Sequence, residues 1–139
     1  MKNGYELSFA KLKEKIDMAY RGYIFSRTFM EERVPQHVQN LVIRDYCTIK
    51  QLDYLLHVTE YGAENCFIIF NQLLEELENI EGIIMYSLFQ LPTDKAKREN
   101  IYSKIIDKKK SLHFAVERLT LSDKKSIERI ENIWDVKSI

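Results

Sequence analysis

Apolar residues recur at three- and four-residue spacing along nearly the whole chain, and alternating strand patterns are scarce, so the sequence reads as a succession of amphipathic helices. From Leu7 to Ile24, the residues Phe9, Leu12, Ile16, Ala19, Tyr20 and Tyr23 fall on one stripe, with Lys11, Lys13, Lys15 and Asp17 largely off it. Gly22 is placed to kink or split that segment. A shorter stretch around Tyr23–Phe29 leads to Pro35, which disfavours helix at Val34 and suits the first turn of a following helix. From Pro35 to about Tyr46, the residues Val38, Leu41 and Val42 mark one face. Thr48 then stands as an N-cap for a segment bearing Ile49, Leu52, Leu55 and Leu56, which Gly62 closes.

The clearest pattern runs from Ala63 to Leu77, where Phe67, Phe70, Leu74 and Leu77 face one way and Glu64, Asn71, Glu75 and Glu78 the other. After Gly82 apolar residues continue to Leu91-Pro92-Thr93-Asp94, a natural boundary. Beyond it Ile101, Ile105, Leu112, Val116 and Leu119 line one long helix, and Ser122 or Asp123 caps a last one bearing Ile127, Ile130 and Trp134. At 139 residues there is room for one compact domain with at most a short appendage. The chain therefore divides into a helical bundle over 1–92 and a basic helical C-terminal extension over 93–139.

Charge follows the same division. Residues 1–92 carry nine Lys/Arg against thirteen Asp/Glu, and residues 93–139 carry twelve against eight, so the halves balance to zero. A neutral whole argues against nucleic acid or an anionic membrane as the main ligand. The runs Phe67–Phe70 and Gly82–Leu91 fall far short of a bilayer span, and the first residues lack the pattern of a signal peptide, so a cytoplasmic location is expected. Cys47 and Cys66 could pair, although lone buried thiols in a reducing compartment are the commoner reading.

No constellation points to chemistry. His37, His57 and His113 lie far apart without a spacing that places two metal ligands on one helical face, so no metal is expected. There is no phosphate-cradling glycine loop, no Gly-x-Ser-x-Gly and no Cys-x-x-Cys. A Cys66–His57 nucleophile pair competes with Cys66 as inert core beside Phe67. The acidic run Glu75, Glu76, Glu78 and Glu81 is a solvated face or a docking patch for a basic partner. Lys108, Lys109 and Lys110, with Lys104, mirror it. The expectation is a protein without cofactor and without catalysis.

Residues from roughly 8 to 91 resemble a caspase recruitment domain of the death-fold superfamily. Thr48-Ile-Lys-Gln-Leu-Asp-Tyr-Leu-Leu-His57 looks like that family's fourth helix, and Gly62-Ala-Glu-Asn-Cys-Phe-Ile-Ile-Phe70-Asn-Gln-Leu-Leu74 is similar to the run opening its fifth. Tyr23-Ile-Phe-Ser-Arg-Thr-Phe-Met-Glu-Glu32 looks like its second helix and the turn into the third. Ala63 stands where the family commonly has Pro, and His57 where an acidic residue is common. The resemblance implies an all-α, compact six-helix antiparallel bundle with one or two additional C-terminal helices. It also implies a non-catalytic module for homotypic recruitment in cell-death or innate-immune signalling, stacking through a basic face at Lys11, Lys13, Lys15 and Arg21 and an acidic face at Glu31, Glu32, Asp45 and Asp53.

The alternative is a small helical regulatory or inhibitor protein, bacterial or phage, that binds one protein partner through a helix face. A helix-turn-helix DNA binder built on Thr48–Gly62 ranks below both, since that segment offers only Lys50 for phosphate contacts.

Overall fold

The computed structural model describes residues 19–137, which build a five-stranded sheet with helices on both faces rather than an all-α bundle. The strands are β1 (Tyr20–Phe25), β2 (Tyr54–Glu60), β3 (Gly82–Met85), β4 (Ser111–Phe114) and β5 (Leu119–Leu121). The helices are α1 (Gln36–Lys50), α2 (Ile68–Glu75), α3 (Lys95–Asp107) and α4 (Lys124–Lys137). Within the sheet the order is β2-β1-β3-β4-β5, parallel throughout except that β5 returns antiparallel to β4.

The six-helix expectation fails because parallel strands covered on both faces are apolar on both faces, and so lose the alternation that marks a strand. In β3 every residue from Gly82 to Met85 is buried. Ile83 and Met85 enter the cluster beneath α2, α3 and α4, while Ile84 faces α1. So short an apolar run fits a buried helix turn as well as a strand, and the aromatic and β-branched content of Tyr20–Phe25 and Tyr54–Glu60 decides for strand.

The segments that carried the death-fold resemblance are rebuilt one by one. Tyr23–Glu32 is the end of β1 and a tight turn, not a helix. Thr48 caps nothing: it lies in the last turn of α1, its hydroxyl donating to the Arg44 carbonyl at 3.0 Å, and the chain leaves the helix at Gln51 with φ 59° before entering β2. The helix expected from Ala63 begins at Ile68. The long helix expected through Leu119 stops at Asp107, and Leu112 and Leu119 belong to the β4–β5 hairpin. Two starts fall where expected: α1 follows Pro35, and Asp123 Oδ1 accepts the Ser126 N–H at 2.8 Å at the head of α4.

Two cores sandwich the sheet. On one side Tyr23, Phe70, Leu77, Phe114 and Ile130 join α2, α3 and α4 to the strands, and the wholly buried Phe70 ring meets Tyr23 edge to face at 4.8 Å. On the other, Ile43, Tyr46 and Cys47 of α1 pack on Ile24, Ile84 and Ala115. Both cysteines are free, and burial pushes the Cys47 thiol up to about 12. Gly22 lets β2 approach β1, because a Cβ there would sit 2.7 Å from the Tyr54 hydroxyl and 2.8 Å from its ring. No helix among the described residues is long and apolar enough to cross a membrane.

Candidate functional site

Strand order reverses between β1 and β3: the chain passes from β1 outward to β2 on one side, then returns to β3 on the other. At such a switch point the loops leaving the carboxyl ends of the strands diverge and open a crevice, the usual ligand position in open α/β sheets. Here Ser26 and Arg27 leave β1, Glu60 ends β2, Tyr86 and Ser87 leave β3, and Val116 and Glu117 leave β4.

Ser26 is half-buried, and both its N–H and its hydroxyl donate to the Glu60 carbonyl, at 3.0 and 3.1 Å. The adjacent Arg27 is committed elsewhere. Its Nη1 donates to the carbonyls of Cys66 at 2.6 Å and Ala63 at 2.9 Å, and its guanidinium lies 4.0 Å from the Phe25 ring centroid and 4.9 Å from that of Phe67. Arg27 thus clamps the β2–α2 loop against the end of β1. The buried Glu60 carboxylate completes the clamp by accepting the Tyr23 hydroxyl at 2.8 Å and the N–H groups of Ile69 and Phe70 at 3.0 and 3.1 Å.

On the far side of the switch point Ser87 is 4 % exposed, and its hydroxyl donates to Glu117 Oε2 at 2.7 Å. Glu117 Oε1 accepts the Leu88 N–H at 2.8 Å, so the tip of the β4–β5 hairpin is tied to the end of β3. Beside this pair lies a pocket of about 180 Å³ whose lining includes Glu32, Tyr86, Phe89 and Lys137. Burial, with the nearby carboxylates of Glu117 and Glu32, raises the Tyr86 phenol above its ordinary value. Over the same pocket hangs the turn Phe29–Glu32, closed by reciprocal backbone hydrogen bonds of 2.9 and 3.0 Å, with Met30 and Glu31 both at positive φ. Among the described residues, no three His, Cys, Asp or Glu side chains converge to hold a metal ion.

Of the residues expected to form interaction faces, Lys11, Lys13 and Lys15 lie outside the described residues. Arg21 is in β1, 3.6 Å from Glu76 and donating to the Leu56 carbonyl at 3.3 Å. Glu31 and Glu32 sit in the turn over the pocket, Asp45 is exposed on α1, and Asp53 precedes β2 with its carbonyl accepting the Tyr20 N–H at 2.7 Å. Apart from the neighbours Glu31 and Glu32, these residues occupy separate elements. The strand-end residues Ser26, Arg27, Ser87 and Glu117 escaped the sequence reading, because their common location exists only once β1, β3 and β4 are recognised as parallel strands.

No family model matches the sequence, and no curated protein matches it. Solved structures do match the fold. A resolvase family site-specific recombinase from Streptococcus pneumoniae is 12% identical, with a TM-score of 0.60 over 86% of this chain and 88% of that one. The N-terminal catalytic domain of TP901-1 integrase is 13% identical, with a TM-score of 0.58 over 85% of this chain and 93% of that one. The fold is shared with these two proteins. This corrects the resemblance to a caspase recruitment domain, whose all-α bundle has no place for the sheet. With it fall the homotypic signalling adaptor and the small helical inhibitor, both of which presupposed a helical bundle. The expectations of a non-catalytic protein and of an improbable nucleic-acid partner run against this likeness, and they rested only on missing motifs and on neutral overall charge.

Proposed function

We propose that this chain acts on DNA as a recombinase-type domain, with the Ser26 hydroxyl as its reacting group. The observation that carries the reading is the match of the sheet-and-helix arrangement, over most of both chains, to a site-specific recombinase and to the catalytic domain of an integrase. Recombination must break and remake phosphodiester bonds. A covalent nucleophile suits that task because attack of a hydroxyl oxygen on phosphorus exchanges one ester bond for another and keeps the strand end attached.

Two serines end adjacent strands here, and their surroundings separate their roles. Ser87 is buried, hydrogen-bonded to Glu117, and caps the short helical turn Leu88–Gln90, so it holds the rim together. Ser26 is the more open, and its one hydroxyl bond is to a backbone carbonyl that a substrate oxygen can replace. Arg27 spends its charge on loop carbonyls, so the cations that meet the phosphate backbone come from elsewhere in the chain.

The test is to incubate the full chain with a labelled DNA duplex and a supercoiled plasmid, measuring binding and trapping covalent protein–DNA adducts. Binding that persists in Ser26→Ala while the adduct disappears supports the reading. An adduct retained in Ser26→Ala but lost in Ser87→Ala moves the nucleophile to Ser87. No binding at low salt overturns the reading.

A further inference from the structure

Strand β5 ends the sheet, and α4 runs back beside it, leaving an open groove of about 570 Å³. Arg118, Lys125 and Arg129 line it, with the neutral polar side chains of Thr120, Ser126 and Asn132 between them. All three cations are exposed. Three basic residues elsewhere are ion-paired: Arg21 lies against Glu76, Arg98 is held by Glu131, and Lys108 meets Glu78.

Asp123 and Glu128 share the groove. Asp123 is turned onto the head of α4, where the Ser126 N–H it accepts holds its carboxyl below the usual carboxylate range. Asp123 therefore stays charged, and the groove sets three cations against two carboxylates, a positive excess of one. Arg118 sits at the hairpin tip with φ 56°, a left-handed conformation that is strained for a non-glycine residue.

Lys125 and Arg129 are one turn apart on one face of α4, about 6 Å along its axis. Lys137, at the end of α4, lies by the pocket next to Ser87, its ammonium 5.6 Å from the Phe89 ring centroid. Backbone phosphates of one strand advance by about 3.4 Å per nucleotide along the duplex axis, so the spacing of Lys125 and Arg129, about 6 Å, suits phosphates within two nucleotides of each other.

We infer that the β5–α4 groove is a phosphate-backbone track, in which Arg118, Lys125 and Arg129 hold duplex DNA and lead it toward the strand ends. This rests on the DNA-acting reading above and names the surface that it requires. The contacts are to phosphate and carry no sequence information, so they set register and affinity rather than site choice.

The experiment measures binding of a fluorescein-labelled duplex of arbitrary sequence by the full chain over a range of salt concentration. Two triple variants are compared with wild type: Arg118→Gln/Lys125→Gln/Arg129→Gln, and a control of equal charge change, Lys97→Gln/Lys104→Gln/Lys109→Gln. Circular dichroism and urea titration confirm that both fold. The expected result is weaker binding by the groove variant, with the slope of log affinity against log salt reduced by about 0.9 for each lost contact, and a control close to wild type. Equal loss in both variants reduces the effect to general charge and overturns the track. Wild-type binding unchanged in the groove variant also overturns it, while the DNA-acting reading stands. Absence of binding by wild type removes both.

Discussion

Gln90 Nε2 donates to Gln39 Oε1 at 2.8 Å, with both side chains wholly buried beneath the ends of β1 and β3. Gln39 Oε1 also accepts the Phe25 N–H at 3.0 Å, and Gln39 Nε2 donates to the carbonyls of Phe25 and Val34, each at 2.8 Å. Gln90 Oε1 in turn accepts the Ser87 N–H at 3.3 Å. The β1–β3 register ends at Tyr23 with Met85, two residues short of Phe25. The two amides therefore replace the missing ladder and fix the crevice floor.

Gln39→Leu strands the Phe25 N–H and C=O and one end of Gln90 in a site closed to water. Each orphaned buried group costs about 1–3 kcal/mol, so the variant is expected to lose at least about 3 kcal/mol in urea denaturation. A loss within about 0.5 kcal/mol, the range of ordinary surface changes, would show that the network is dispensable.

His113 gives the fold a pH dependence of definite sign. Burial, with the positive charge of Lys50, lowers its pKa to about 4, so the ring is neutral at pH 7. Nδ1 lies 2.7 Å from the Tyr46 hydroxyl and Nε2 lies 2.9 Å from the Ser111 hydroxyl, a geometry satisfied when Nδ1 accepts and Nε2–H donates. The unfolded chain takes up its proton near pH 6.5 and the folded one only near pH 4, so stability is full above pH 6.5 and falls as pH drops through that window. The loss by pH 4 is about 3 kcal/mol. Urea titrations at several pH values should show this slope in wild type and its loss in His113→Gln; an unchanged slope in the variant would assign it to other groups.

What could be read from the sequence depended on whether a segment faces one environment or two. Pro35 and Asp123 act through local backbone chemistry, and α1 and α4 begin beside them as expected. The Phe70 face of α2 is one-sided and was legible. Ile83, Ile84 and Met85 are not, because successive residues are buried on opposite faces of β3 and leave no polar positions to mark the period. Thr48 resembles a cap in sequence, yet the left-handed Gln51 ends the helix three residues later. The strand-end site was hidden for a related reason. Ser26, Ser87 and Glu117 share no motif spacing and are related only by parallel pairing of strands far apart in sequence.

Arg98 and Glu131 form a buried pair joining α3 to α4. Nε and Nη2 of the guanidinium donate to the two carboxylate oxygens at 2.9 and 2.8 Å, and the Tyr102 hydroxyl donates to Oε2 at 2.6 Å. Burial acts to raise the Glu131 pKa, but the hydrogen bonds from Arg98 and Tyr102 prevail and lower it. A carboxyl lowered on folding contributes stability above its unfolded value, about 4.3, and loses it as pH falls through the folded value. Glu131→Gln leaves the Arg98 charge unmatched, and a cost of about 3–5 kcal/mol is expected near neutral pH. The gap between wild type and variant should narrow below about pH 4; a gap independent of pH would mean that packing rather than charge is lost.

In the turn over the pocket two consecutive residues conflict with their backbone. Met30 and Glu31 take φ of 52° and 64° between the paired Phe29 and Glu32, the pattern of a two-residue turn that favours Asn-Gly. A left-handed non-glycine residue costs roughly 1–2 kcal/mol, and glycine returns about 0.5–1 kcal/mol of that as chain entropy in the unfolded state. Glu31→Gly is therefore expected to stabilise the protein by about 0.5–1 kcal/mol, while Glu31→Ile, which removes the same exposed charge, destabilises it because a β-branched residue tolerates positive φ poorly. Urea denaturation of the two variants separates backbone strain from charge. Shifts of the same sign would place the effect in the carboxylate, and opposite shifts would establish that the loop beside Ser87 and Glu117 is held in a strained conformation by the structure around it.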